Sequence, residues 1–589
     1  MAGRARTTAR HEKVVGRCRA LIMACAVTIA SDGIASAQLV ERNLPLEPPR
    51  RAPVIQIGAN DLLKSDDATP LGVNVQAIVL IGPNAVAKQR VSAKGIQMDQ
   101  VSGIDAAVVR EKLAPFLDRA LNRKLIAEVQ ASVAAVYRDA GRPFVSVTLP
   151  PQEVSTGVLQ LRVIVFKVAG IKVKGAAPED YPRNRIRLVS GQEIDARKLE
   201  TDLDWANRNP FRQVEAVFGP GKDLGMTDAT IQVTDRRPWQ VFAGYANSGT
   251  LMTDRHRYYV GGTAASSGGV VASYQLTGSG DFWIKDDWPF DAPAEAKYLS
   301  QAGRLLTPLG LRTSLEVVGD HVQTNERPNS LFRIKTQTSQ ASAVVRTALS
   351  DLLSPTFGDL LGGVELKSQL RTTIFDGVPV AEGGAEVAQL VVGWSGRWPD
   401  QLGTNNLDVR LKSNPGGIMS GNKSAAWNSF TNGRVTDVHT NLVTLEYGRV
   451  TPLPMSLSLK SEISVLASSK PLPDTERIGL GGIQGVRGYV TEDGVVDQAV
   501  ILRNSLYVPT PGLPAWIPGT FAPFLLADLG WGRDLFSRRD STLSSVGAGF
   551  DFVAGPNFNS KLLAARVLTD GLHSAAGSWR ISVQASATY

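Results

Sequence analysis

One arginine stands inside a run of glycines, Gly481-Gly482-Ile483-Gln484-Gly485-Val486-Arg487-Gly488-Tyr489, about 100 residues before the end of a 589-residue chain. Glycine lets a backbone take positive φ and approach a wall closely. Arginine brings five donors and a permanent charge. An arginine confined in this way needs a carboxylate if it is buried. A solvated arginine on a glycine-rich surface hairpin is the other reading of the same residues. Other chemistry finds little support. There is no G-x-S-x-G nucleophile elbow and no P-loop. His256, His321, His439 and His573 are scattered, without H-E-x-x-H or another metal-ligand spacing. Catalytic residues, a cofactor and a metal are therefore not expected, and the chain is not expected to be an enzyme.

The surrounding sequence must place that arginine. At the start, Arg4, Arg6, Arg10, Lys13, Arg17 and Arg19 form a basic region, and Ala20 to Ala30 form an apolar run of 11 residues. Ala35-Ser36-Ala37 then offers an A-x-A site, which predicts a signal peptide over 1–37 and a mature start at Gln38. Both cysteines, Cys18 and Cys25, fall within it, so no disulfide or thiolate metal site is expected beyond it. Residues 1–37 also carry six basic and two acidic side chains, half of the net +8. The remaining charge gives no reason to expect a nucleic-acid partner. Past the signal there is no apolar run of the roughly 18 residues a spanning helix needs, so only a closed β-barrel could cross a membrane.

Residues 38–72 include Pro45, Pro48, Pro49, Pro53 and Pro70 and are expected to form an extended linker with little packed structure, apart from a possible short helix at Asp61 to Lys64. Residues 73–168 predict a small α+β domain. Val73, Val75, Ala77, Val79 and Ile81 alternate as in a strand. Leu125, Ile126, Val129, Val133, Val136 and Tyr137 fall at helical spacing between Asn122 as N-cap and Gly141. Strands follow at Phe144 to Val147 and at Leu159 to Val165. Residues 169–236 repeat the plan, with a long helix at Ile194 to Asn209 between alternating segments. From 237 to 589 alternation dominates. Leu407, Val409 and Leu411 interleave with Asp408, Arg410 and Lys412. Ile581, Val583, Ala585, Ala587 and Tyr589 interleave with Arg580, Ser582, Gln584, Ser586 and Thr588. Charge at every second position suits a wet lumen, and the apolar partners suit lipid. At about 9–11 residues per spanning strand plus turns, the region holds roughly sixteen antiparallel strands.

Three local runs, in this order of domains, resemble the TpsB transporters of two-partner secretion, the ShlB/FhaC/HecB haemolysin secretion/activation family and relatives of BamA. Leu149-Pro150-Pro151-Gln152-Glu153 with Gly157 resembles the start of the last strand in the first POTRA domain of that family. Asn209-Pro210-Phe211-Arg212 with Pro220-Gly221 resembles the second POTRA domain. Gly485-Val486-Arg487-Gly488-Tyr489 resembles the V-R-G-F/Y loop tip. The resemblance implies two α+β POTRA-like domains in the periplasm and a transmembrane β-barrel in the outer membrane. It also implies a loop folded into the barrel lumen, where Arg487 meets the aspartate of an F-x-D-x-G strand. Leu526-Ala527-Asp528-Leu529-Gly530 fits that pattern, with Leu526 at the usual Phe position. Asp528 and Gly530 are therefore the expected latch partners. Tyr589 resembles the C-terminal signal read by barrel-assembly machinery. The implied function is secretion, with or without activation, of a large exoprotein such as a haemolysin or adhesin that is unfolded in the periplasm. The implied partners are that exoprotein, outer-membrane lipid and the assembly machinery. A BamA-type assembly factor is the alternative, although such proteins usually carry more POTRA domains.

Overall fold

A computed structural model describes residues 41, 43–45, 54–57, 65–88, 93–101, 103–175, 185–283, 296–353, 357–510 and 519–589. The expected signal peptide and the possible helix at 61–64 lie outside the described residues. The chain forms two compact units, Arg51–Arg236 and Arg237–Tyr589 with Met1–Arg50.

The first unit holds two small α+β domains. In the first, four strands lie in the order Gly95–Asp99, Ala77–Ile81, Val158–Val165, Val145–Thr148. Helices Ala106–Leu113 and Arg123–Asp139 cover one face. Ala77–Ile81 is buried throughout: Ile78 and Leu80 meet the helices, while Ala77, Val79 and Ile81 meet Ala85, Ala87 and Ala93. The long helix starts where Asn122 Oδ1 accepts Leu125 N at 2.7 Å and stops at Gly141, φ +80°. The Pro-Pro-Gln run has a mechanical role. Gln152 bonds both backbone groups of Gln160, at 2.6 and 2.8 Å, and steers the chain into its last strand. Gly157 has φ +72°, and a Cβ there would lie 2.3 Å from Asn74 O.

The second domain pairs Lys167–Gly175, Met226–Asp235 and Arg212–Pro220 beneath helix Ala196–Ala206. Arg212 grips Asp235 with two bonds of 2.7 and 2.8 Å. Two expectations need correction. Gly95–Asp99 is a strand that the sequence did not signal, because only Ile96 and Met98 in its five residues are apolar. The stretch 38–72 is also not simply a linker. Val54–Ile57 adds to the second domain as a parallel edge strand, in register with Glu215–Phe218. Its pairing partner lies so far along the chain that no local pattern announces it.

The second unit is a closed antiparallel barrel of 16 strands, from Trp239–Ala246 to Trp579–Thr588. Alternation sorts the side chains as expected. Asp408, Lys412, Gln369 and Gln340 are buried inside, whereas Leu411, Leu390, Leu529 and Ile581 stand exposed on the outer face. Aromatic rings cluster near strand ends, as in Phe357–Trp394–Trp398 and Trp239–Tyr589. The seam is paired from Gln584↔Ala246 to Thr588↔Phe242, and Tyr589 and Val241 exchange backbone bonds of 2.8 and 3.0 Å.

Leu80→Ala empties the centre of the first small domain at a cost of about 2–5 kcal/mol. We expect limited proteolysis to cut that domain faster while the barrel still shows its folded, heat-modifiable band on gels. An unchanged cleavage rate would contradict this packing.

Candidate functional site

The segment 469–497 joins strands Ser458–Ser468 and Gln498–Tyr507. It does not project from the barrel but folds back inside it. Leu472, Leu480, Val486, Tyr489 and Val496 pack on the inward side chains of Leu442, Leu466, Ala499, Ile501, Leu543 and Val567. A two-residue ribbon, Ile478–Gly479 with Val495–Val496, closes the loop base. Glycine is needed where the tip doubles back: Gly488 has φ +102°, and a Cβ on Gly485 would lie 2.3 Å from Leu480 O.

At the tip, Arg487 is 8% exposed and Asp528 is 4% exposed. The guanidinium grips the carboxylate with two bonds: Nε donates to Oδ2 at 2.7 Å and Nη2 to Oδ1 at 2.6 Å. Its other donors reach Ser505 Oγ and Asn504 O, both at 2.9 Å. Asp528 Oδ2 also accepts the backbone N–H of Arg487 at 3.1 Å. A charged pair with its donors and acceptors matched in this way survives burial. Arg487 and Asp528 are thus in direct contact. Strand Thr520–Asp534 alternates, with Leu525, Ala527, Leu529 and Trp531 outward and Asp528 inward.

The rest of both motifs shapes the seat. Val486 is fully buried and presses on Gly530, where a Cβ would lie 2.7 Å from Val486 Cγ2. Tyr489 is also fully buried, and its hydroxyl lies within hydrogen-bond reach of Ser544 O at 2.9 Å and Thr569 O at 2.6 Å, with one proton to donate between them. Leu526, at the usual Phe position, packs with Tyr507, Phe524, Leu563 and Ala565, so Phe524 supplies a ring two residues earlier. Tyr589 lies elsewhere, at the seam, where Arg237 stacks 4.1 Å over Trp239 and 4.4 Å over Tyr589.

Further contacts hold the loop that sequence reasoning missed. The fully buried Asp493 accepts the backbone N–H of Val490 and Ser574, at 3.1 and 3.2 Å. Glu476 pairs with Lys367 on the wall, both buried. Arg503 reaches Ile483 O at 3.0 Å and Glu462 at 2.7 Å. Lys470 bonds Asp437 at 2.6 Å, and its ammonium holds that carboxyl below the usual carboxylate range. The stretch expected to be unpacked also contributes inside the barrel. Glu41 pairs with the buried Arg257 at 2.7 Å, and its carbonyl accepts from Tyr298 Oη at 2.8 Å. One signal was available for Lys367: a lysine at an inward strand position needs an acid facing it. The sequence does not say which acid.

Gly530→Ala forces its Cβ into Val486, and the clash should loosen the loop tip. Val486→Ala in the same chain should restore it, because the offending methyl is gone. Thermal unfolding of the folded band would read this, with the double variant more stable than G530A alone. A double variant as unstable as the sum of the two singles would refute the contact.

Residues 362–552, which include Arg487 and Asp528, match the family described as haemolysin secretion/activation protein ShlB/FhaC/HecB. Residues 91–165 match the ShlB-type POTRA domain. The outer membrane transporter CdiB-2 of Burkholderia pseudomallei (strain 1026b) is 23% identical over 149 residues, 25% of this chain and 26% of that protein. The outer membrane transporter CdiB of Escherichia coli O6:K15:H31 (strain 536 / UPEC) is 26% identical over 145 residues, 24% of each chain. These matches span about a quarter of the length of the curated relatives. Among solved structures, CdiB from Escherichia coli aligns over 98% of both chains with TM-score 0.61 and 16% identity. CdiB from Acinetobacter baumannii does so over 98% of both with TM-score 0.53 and 12% identity. At such identity the structural likeness speaks for the fold. The first small domain is thus similar to the ShlB-type POTRA domain, and residues 362–552 of the barrel, with Arg487 and Asp528 among them, are similar to the ShlB/FhaC/HecB family.

Proposed function

We propose that this protein secretes a large exoprotein, such as a haemolysin or adhesin, across the outer membrane by two-partner secretion. The observation that carries this reading is the loop 469–497, pinned inside a 16-strand barrel by Arg487 and Asp528. A loop held by directional charged bonds can be released and reset, whereas a wall strand cannot. The small domains supply sheet edges, to which an extended, unfolded chain can add by main-chain bonds with little sequence demand. The polar inner wall then offers a path, and folding of the exoprotein outside draws it forward. Tyr589 serves as the signal for assembly of the barrel, and lipid surrounds the apolar outer face. The chain acts as a transporter and carries out no chemistry of its own.

A BamA-type insertase is the second reading. It would work by opening the barrel wall, and the seam between the first and last strands is paired from Gln584↔Ala246 to Thr588↔Phe242, with Tyr589 and Val241 bonded beyond it. The paired seam favours passage through the lumen.

Three outcomes test these readings. Deleting 73–236 should abolish secretion of the cognate exoprotein, as read by immunoblot of the medium; normal secretion would sink the proposal. Arg487→Ala leaves Asp528 buried without its partner, at a cost of about 3–5 kcal/mol, and should lower secretion while the barrel still assembles. Wild-type export by that variant would count against the latch. The pair A243C/A587C lies directly across the seam, within the Cα range a disulfide accepts. Residues 38–589 contain no competing cysteine. Secretion should survive oxidation of this pair, and its loss on locking the seam would favour the insertase.

A further inference from the structure

The tip latch is one of several charged attachments of the lumenal loop. Another lies at the loop base and comes from a different loop. Residues 415–439 join strands Gly403–Asn414 and Thr440–Pro452 and contain the short helix Ser424–Phe430. Trp427, 1% exposed, and Phe430 pack on Ala385 and Val387, inward residues of strand Val378–Asp400. Trp427 Nε1 donates to Glu386 O at 2.7 Å, and Gly421 N donates to Glu386 Oε2 at 2.6 Å. This loop is therefore seated against the inner wall, and lifting it would expose a tryptophan.

From that seat, Arg434 reaches across to the lumenal loop. Nη2 donates to both oxygens of Asp497 at 2.7 Å, Nη1 to Asp534 Oδ2 at 2.7 Å and Nε to Leu472 O at 3.3 Å. The Asp497 carboxylate is fully buried and also accepts Leu472 N at 2.9 Å and Leu535 N at 2.7 Å. One guanidinium thus joins both stems of the lumenal loop, at Leu472 and Asp497, to the neighbouring turn and to its own loop. Arg477 shares the cluster, 2.7 Å from Asp534 and 3.7 Å from Asp497. Without Arg434, this one arginine would have to balance both carboxylates, one of them buried.

We propose that Arg434 is a positioning residue for the lumenal loop, and that loop 415–439 is the lid through which it acts. The loop base is clamped while the lid is seated on Ala385 and Val387, and the two loops leave the pore as a coupled pair. The coupling rests on the secretion reading only in supposing that the loop moves during transport; the clamp itself can be tested without cargo.

The test uses the full chain with Cys18 and Cys25 replaced by serine, so that A565C is its single thiol. Ala565 is fully buried beneath the loop, where a Cβ on Gly488 would lie 3.1 Å from Ala565 Cβ. In proteoliposomes, R434Q should raise the maleimide labelling rate at that position by at least about tenfold, since removing one partner of a buried charged cluster is strongly unfavourable. R434K should restore part of the protection, and R487Q serves as the positive control. A rate unchanged in R434Q but raised in R487Q would overturn the proposal. Should R434Q fail to give the folded band, D534N removes one arm of the clamp and carries the same test, with an intermediate rate expected and an unchanged rate overturning. A secretion assay on the same variants separates the two claims. Raised labelling with normal secretion supports the clamp and counts against the transport role of the loop; raised labelling with impaired secretion supports both.

Discussion

A buried guanidinium must be matched donor by donor, and this constraint organises the barrel interior. Arg487 meets it with Asp528, Ser505 and Asn504. Those partners come from two adjacent strands, so the pair fixes the loop against both at once. Removing charge from water costs several kcal/mol per ion, and only good geometry with further hydrogen bonds offsets it. The bond set here is nearly complete, since Asp528 accepts from Asn504 N as well as from Arg487. The pair therefore has one position in which it is comfortable, and the loop inherits that position. Such an attachment differs from an apolar one: it resists small shifts but can be broken cleanly when water or another charged chain replaces a partner.

The small residues around the pair follow from the same constraint. To bring Arg487 into reach of Asp528, the loop backbone must lie almost on the wall. Gly530 and Gly532 remove the side chains that would hold it off, leaving room for Val486, Val496 and Leu480. On the loop side, Gly485 and Gly488 permit the turn that aims the arginine. Aspartate and glycine two positions apart on one strand both face inward, because strand side chains alternate. The spacing in each motif thus expresses a single surface contact, made by a charge, a buried valine and two places where nothing protrudes.

How much of this the sequence disclosed depended on the range of the physics involved. Alternation is local, so the inward face of Asp528, the lipid face of Leu529 and a barrel of about sixteen strands could all be read directly. Helix caps are local too, and Asn122 and Gly141 stand where the chain signals them. The Arg487–Asp528 pairing is long-range and became legible only through resemblance. Contacts without a motif stayed hidden. Four residues at Val54–Ile57 carry too little pattern to announce a strand, since their pairing edge at Glu215–Phe218 lies in another domain. Glu41 reads as an ordinary linker acid until Arg257 is seen opposite. The helix at Ser424–Phe430 is shorter than two turns and sits among barrel turns, where seven residues give no periodicity.

The number and placement of these contacts bear on what kind of gate the loop can be. A plug held at one point would swing about it under thermal motion, and the pore would leak. Here the tip is held by Arg487, the base by Arg434 and Asp497, and the flanks by Glu476–Lys367 and Asp493. Contacts that share one rigid loop are not independent, because breaking one leaves the others to hold the geometry in which it can re-form. Stepwise fluctuation is therefore reversed, and lasting release requires several contacts to be lost together. The distribution of charge through the lumen thus holds the loop at its tip, base and flanks at once, so that its position does not depend on any single contact.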